Sequence, residues 1–156
     1  MNERQKRALR ICSKVLFGVY LICLIYLLFF AESMGRTYAE RTYHYNLVPF
    51  REIKRFLVHR ETLGIMAVML NLVGNIVAFV PYGLFLPIMF PKNRSLWRIA
   101  LLTFDFSFAV EVIQLVGKVG SFDVDDLMLN TLGGILGYLL FVVLNWIRRK
   151  KYEKTS

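Results

Sequence analysis

Eight side chains in this chain of 156 residues could do chemistry by type and spacing: Asn46, Asn75, Glu111, Gln114, Asp123, Asp125, Asp126 and Asn130. Carboxamides offer a donor and an acceptor together. Carboxylates accept hydrogen bonds, take up a proton as a general base, or hold a cation. Glu111 and Gln114 stand three residues apart, so a helix places them on one side. Asp123, Asp125 and Asp126 crowd three acids into four positions. That pattern suits a solvated turn entering a helix, whose N-terminal dipole favours negative charge, and it equally suits a ligand or cation site. His44 and His59 have no second ligand at a zinc-like spacing and read as surface residues. The chain has no serine nucleophile elbow, phosphate-cradling glycine loop or zinc-protease motif. The residues therefore name no catalytic group, no metal ligand and no cofactor.

These polar groups are notable for their setting. Four apolar runs, 13–31, 63–90, 96–116 and 127–147, meet the length of a spanning helix, about 17–25 residues or slightly more. A carboxylate near the bilayer centre costs on the order of 2.5–3.5 kcal/mol, so it needs a partner or a wet cavity. The expected fold is an all-α membrane protein of four transmembrane helices with a short interfacial helix in the first outer loop. With 56% hydrophobic residues the chain has no room for a separate soluble domain, and one domain covers 1–156.

The net charge of +9 does not point to nucleic acid, because the basic residues flank the apolar runs. Thirteen lie at the N-terminus (Arg4, Lys6, Arg7, Arg10, Lys14), around the second connection (Lys92, Arg94, Arg98) and at the C-terminus (Arg148, Arg149, Lys150, Lys151, Lys154), against seven in the first and third connections. Lysine and arginine excess marks the cytoplasmic side, so both termini are expected inside. The first run is expected to stay as a span. Its apolar core, 15–30, exceeds the usual signal-peptide length, and Glu32 would sit inside the cleavage box. Cys12 and Cys23 lie roughly 16 Å apart along that helix, too far for a disulfide.

The first outer loop, 32–62, reads in two parts. Tyr38, Tyr43 and Tyr45 suit the headgroup layer. Pro49 then opens a short helix over 51–60, with Phe50, Ile53 and Leu57 as an apolar stripe among Arg51, Glu52, Lys54 and Arg55. In the second span Pro81 is expected to kink the helix or end its regular part. In the fourth, Gly133 and Gly137 permit close backbone approach, either within one chain or between two copies.

The orientation sets depth. Asn71 and Asn75 share a face of span two. Glu111 and Gln114 fall in the outer third of span three, and Asn130 enters span four just below the outer surface. With the three aspartates they converge from separate segments on one outward-facing polar pocket. Asp105 is the exception, about 120° from Glu111 and about 180° from Gln114 around the helix. It is expected to be a packed, protonated residue outside that pocket.

The same residues carry a family likeness. Asn46-Leu47-x-Pro49-Phe50, Gly74-Asn75-Ile76-x-x-Phe79-x-Pro81-Tyr82-Gly83-x-x-Leu86-Pro87, Glu111-x-Ile113-Gln114 and Asp123-x-Asp125-Asp126-x-x-x-Asn130-Thr131-x-Gly133-Gly134-x-x-Gly137 resemble, in order, the VanZ-like family over residues 46–137. The resemblance implies a small protein of the bacterial plasma membrane, related to an accessory protein that lowers susceptibility to teicoplanin and similar glycopeptides. Two positions depart from the pattern: Tyr82 stands where many relatives carry Phe, and Ser121 and Phe122 replace a basic residue before the first aspartate.

The residues and the resemblance leave a non-enzymatic binding role and an enzymatic role open. A binding protein would hold a membrane lipid, a lipid-linked cell-wall precursor or a glycopeptide antibiotic at the outer leaflet. A membrane enzyme would act on a lipid-linked substrate through Glu111 and the acids of 123–126. The first is favoured because the second lacks a recognisable nucleophile. A transporter ranks third, since four spans are few.

Overall fold

The computed structural model describes residues 3–31 and 43–153. Tyr38, the 31–33 segment beyond Ala31 and Lys154 lie outside the described residues. In chain order the elements are α1 (Glu3–Tyr26), a π-helical turn (Leu27–Ala31), β1 (Tyr45–Asn46), α2 (Arg51–Val58), α3 (Arg60–Leu63), α4 (Ile65–Met89), a 3-10 turn (Pro91–Asn93), α5 (Leu96–Gly117), β2 (Phe122–Asp123) and α6 (Val124–Glu153). Four helices are long and apolar enough to cross a membrane, over Arg10–Phe29, Ile65–Met89, Leu96–Gly117 and Val124–Lys151. The protein is therefore multi-pass.

The boundaries differ from the expected ones for local reasons. Gly64, at φ 84°, separates α3 from α4, a backbone region that glycine enters without steric cost. α6 starts at Val124, three residues early, because the Asp123 side chain accepts the N–H of Asp125 (2.8 Å) and caps the helix. α4 runs unbroken through Pro81 and Pro87. The expected end of regular helix at Pro81 does not occur. In the turn before that proline, the Tyr20 hydroxyl of α1 donates to the Ala78 carbonyl (2.7 Å), one residue past the Val77 carbonyl that Pro81 leaves without its N–H.

α4 and α6 form the centre, with α5 against α6 and α1 against α4. Glycines decide how closely the central pair can meet. A Cβ on Gly133 would strike the Ile76 carbonyl, one on Gly137 the Val80 carbonyl, and one on Gly83 the backbone of Gly134. The Gly133–Gly137 pair is thus consumed by packing within the chain. Below this contact, Tyr82, Leu86, Met89 and Ile99 form a buried cluster. The Tyr82 ring stacks on Phe106 at 4.9 Å, an aromatic contact that holds α4 against α5.

The molecule has two chemically distinct ends. At one, Arg94 donates to the Pro87 carbonyl (3.0 Å) and lies over the Phe141 ring. Partial burial, then Arg148, Arg149 and Arg10, holds its guanidinium below the ordinary value. At the other end lie the two-residue strands, α2 and the acids. Asn71 is exposed and, among the described residues, bonds back to the Ala67 carbonyl (2.8 Å), so it does not share the role of Asn75. Asp105 is exposed as well, and the packed position expected for it is not what the structure contains.

Gly83→Ala should destabilise the protein by about 1–3 kcal/mol, because the new methyl must part α4 from α6. Gly74→Ala, on the same helix with open space at its Cβ, should not. Thermal unfolding of the two variants in detergent checks the pair; equal losses would contradict the close contact.

Candidate functional site

The site is built from a loop that is ordered by a distant helix. β1 pairs in parallel with β2, Tyr45 opposite Phe122 and Asn46 opposite Asp123. Register places the Asn46 carboxamide beside the Asp123 carboxylate, to which its Nδ2 donates (3.1 Å). The Asn46 Oδ1 accepts the N–H of Val48 (3.1 Å), starting the turn that follows. Pro49 then supplies the first central residue of a turn closed by Arg51 N–H to the Val48 carbonyl (3.3 Å). Phe50 is the second central residue, with φ 64° and ψ 6°. That is the position of a type II turn where glycine is the usual choice, and a phenylalanine there is strained.

Asp125 offsets the strain. Its carboxylate accepts the backbone N–H groups of Phe50, Glu52 (2.8 Å) and Ile53 (3.1 Å), all at the start of α2. The side chain is 1% exposed. A carboxylate placed on three unpaired helix-terminal donors forms charge-assisted hydrogen bonds and meets the positive end of the helix dipole. α2 thus begins at Arg51, after Pro49 and Phe50, and its cap comes from another span. The expected stripe of Phe50, Ile53 and Leu57 is partly replaced: Ile53 and Phe56 are half-buried, while Phe50, Leu57 and Val58 are exposed.

Glu111 joins the same network from α5. It is 3% exposed, and its Oε2 accepts the Asp123 N–H (3.0 Å). Asp123 is buried, and desolvation pushes its carboxyl above the ordinary aspartate range. The hydrogen bonds from Asp125 N–H and Asn46 oppose that shift, and the charges of Asp125 and Glu52 add to it. Asn46, Glu111, Asp123 and Asp125 therefore form one connected unit.

The other expected residues lie beside it. The Asn75 Nδ2 donates to Asp126 Oδ1 (2.6 Å), tying α4 to the first turn of α6. The Gln114 Nε2 donates to the Leu28 carbonyl (2.9 Å) in the π-helical end of the first span. The Asn130 Nδ2 donates to the Ser107 hydroxyl (2.8 Å), while the buried Asn130 Oδ1 and Thr131 Oγ1 lack a hydrogen-bond partner among the described residues. Ser107 and Thr103, both buried, extend the Glu111 face along α5. The sequence reasoning missed them. Their recurrence every four residues, 103, 107 and 111, is the signal that marks them.

Lys118 lies over the Tyr43 ring at 4.5 Å, and Phe122 packs edge-on against Phe108. The position of the replaced basic residue is thus filled by an aromatic contact on β2. Among the described residues, no three His, Cys, Asp or Glu side chains are placed to hold a metal ion.

The signature residues of the likeness are those that interlock here, and the comparison with known proteins agrees. The sequence model of the VanZ/LLP1 family matches residues 17–145. The chain belongs to the VanZ/LLP1 family. It is 30% identical to Protein VanZ of Enterococcus faecium over 149 residues, which cover 93% of this chain and 83% of that protein. No solved structure matches it. For this VanZ-family chain the conformation of Asn46–Phe50 is inseparable from Asp123 and Asp125.

Asp125→Ala should release α2. It removes the acceptor of three amides, at a cost of about 0.5–2 kcal/mol or more by analogy with lost helix caps. Hydrogen exchange at Phe50, Glu52 and Ile53 should quicken, with the α4 and α6 amides near 76–80 and 133–137 unchanged. Protection at positions 50, 52 and 53 equal to that of the native protein would refute the capping role.

Proposed function

We infer that this VanZ-family protein binds an amphiphile of the cell envelope at the outer leaflet of the bacterial plasma membrane, with both termini in the cytoplasm. The amphiphile is a membrane lipid or a lipid-linked cell-wall precursor. Its binding lowers susceptibility to teicoplanin-type glycopeptides by changing the access of the antibiotic to its target. One observation carries this reading: α2 is fixed at its N-terminus by Asp125, yet it leaves Phe50, Leu57 and Val58 exposed among Arg51, Lys54 and Arg55. A rigid helix with apolar and basic residues suits the boundary between acyl chains and anionic headgroups. Arginine side chains present planar donors to phosphate. The acids beneath it then order the binding surface.

The enzymatic alternative, with Glu111 and the acids of 123–126 acting on a lipid-linked substrate, has less support. Glu111, Asp123 and Asp125 each accept a backbone N–H, so these oxygens are engaged in positioning the loop.

The orientation is tested by single cysteines in a Cys12→Ser, Cys23→Ser background. Ser121→Cys should label from outside the intact cell, and Lys151→Cys only after permeabilisation. The reverse pattern would invert the topology and move the site to the cytoplasm.

The role of Glu111 separates the two chemistries. Glu111→Gln keeps an oxygen for the Asp123 N–H but cannot ionise. Teicoplanin susceptibility of a sensitive host should change little between native protein and Glu111→Gln, whereas Glu111→Ala should lose the protection at equal membrane abundance. Loss in both variants at equal abundance would favour a general base or cation ligand.

A further inference from the structure

Asp105 differs from the other acids of the long helices. Nine residues of rise put it roughly 14 Å from the start of α5, near the middle of a hydrocarbon core about 30 Å thick. It is exposed. Among the described residues it takes part in no hydrogen bond or ion pair, and its electrostatic neighbour Tyr82 donates to the Leu102 carbonyl instead (3.3 Å). α5 buries Ile99, Thr103, Ser107, Val110, Glu111 and Gln114. At about 100° per residue, Asp105 lies on the opposite side of the helix from the middle of that face.

Its neighbours on the outward face are Leu101, Phe108 and Val112. Leu101 and Phe108 are each 45% exposed. Steps of four, three and four residues from Leu101 through Asp105 and Phe108 to Val112 make a helix-pairing seam with one polar member. Ala109 beside Asp105 is small enough for another helix to come close.

Hydrocarbon offers Asp105 nothing to bond with, and headgroups lie at another depth. An unrelated helix would satisfy it only with a polar group at the same level. A second copy always meets that condition, because every copy inserts the same way round. A two-fold axis along the membrane normal then sets Asp105 against Asp105. A carboxyl group can meet its own kind through hydrogen bonds, so the face is self-complementary. A lone polar residue in such a seam also fixes its register.

We propose that the protein pairs with a second copy through the outward face of α5, with the two Asp105 side chains in contact near the middle of the membrane. The Gly133–Gly137 pair takes no part, because α4 of the same chain already covers it. The pairing is independent of which amphiphile the outward end binds.

The test uses the full chain in membranes, in the Cys12→Ser, Cys23→Ser background, with a bifunctional thiol cross-linker. Val116→Cys lies at the outer end of the α5 face and Met66→Cys at a similar depth on α4, and both native side chains are well exposed. Dimers should form at position 116 and not at 66. Asp105→Asn keeps a donor and an acceptor and should preserve the cross-link. Asp105→Leu should weaken it roughly three- to twentyfold, the factor an interhelical hydrogen bond in a membrane supplies.

Four outcomes would overturn the proposal. One is equal cross-linking at 66 and 116, and another is an undiminished yield with Asp105→Leu. A third is capture of a different protein at 116 in place of a second copy. The fourth is failure of Asp105→Leu to fold, since an outward apolar side chain disturbs nothing inside the bundle.

Discussion

The acid-bearing end of this protein depends on one carboxylate reaching across the chain. Asp125, in the first turn of α6, accepts amides that lie 72 to 75 residues earlier in sequence. Helix starts are commonly capped by a neighbour one to three residues away, which stabilises the helix without saying where it goes. A cap supplied by another span does both. It fixes the direction of α2, holds Phe50 in a left-handed conformation, and brings Asn46 under the same turn.

The acids also divide the work by the groups they face. Asp123 caps its own helix and receives Asn46. Asp125 caps the foreign helix, and Asp126 receives Asn75 of α4. Three neighbouring side chains thus bind three different parts of the molecule. Burial above all, and then the charges of Asp125 and Glu52, raise the Asp123 carboxyl. The Asp125 backbone amide and the Asn46 carboxamide oppose that rise. Glu111 supports the set from below by holding the Asp123 amide, so the strand pair and the α6 start share one foundation.

The spans, the polar clustering and the close-packing glycines were legible in the sequence, because hydropathy and small-residue spacing are local signals. The part played by each acid was not. Asp125 looks the same in sequence whether it caps a helix or holds a ligand, and only the position of residues 50–53 separates the two. Asn71 and Asn75 share a helix face by spacing, yet α6 reaches only the second. Pro81 signals a kink or an end, yet α4 stays helical through it, with the Tyr20 hydroxyl bonded to the Ala78 carbonyl in the turn before. Ser107 and Thr103 were passed over because hydroxyls in apolar runs are common, although their spacing to Glu111 marks one continuous buried face.

The parallel pairing of β1 with β2 has a consequence for biogenesis. Residues 45–46 leave the ribosome long before residues 122–123, so their partner strand does not yet exist when the second and third spans are made. Asn46 and Asn75 can donate to Asp123 and Asp126 only once the last helix begins. These bonds therefore close late, once residues 123–126 are made. A chain stalled or cut before Asp123 would present these groups open to the membrane surface, a chemical mark by which an unfinished protein differs from a finished one.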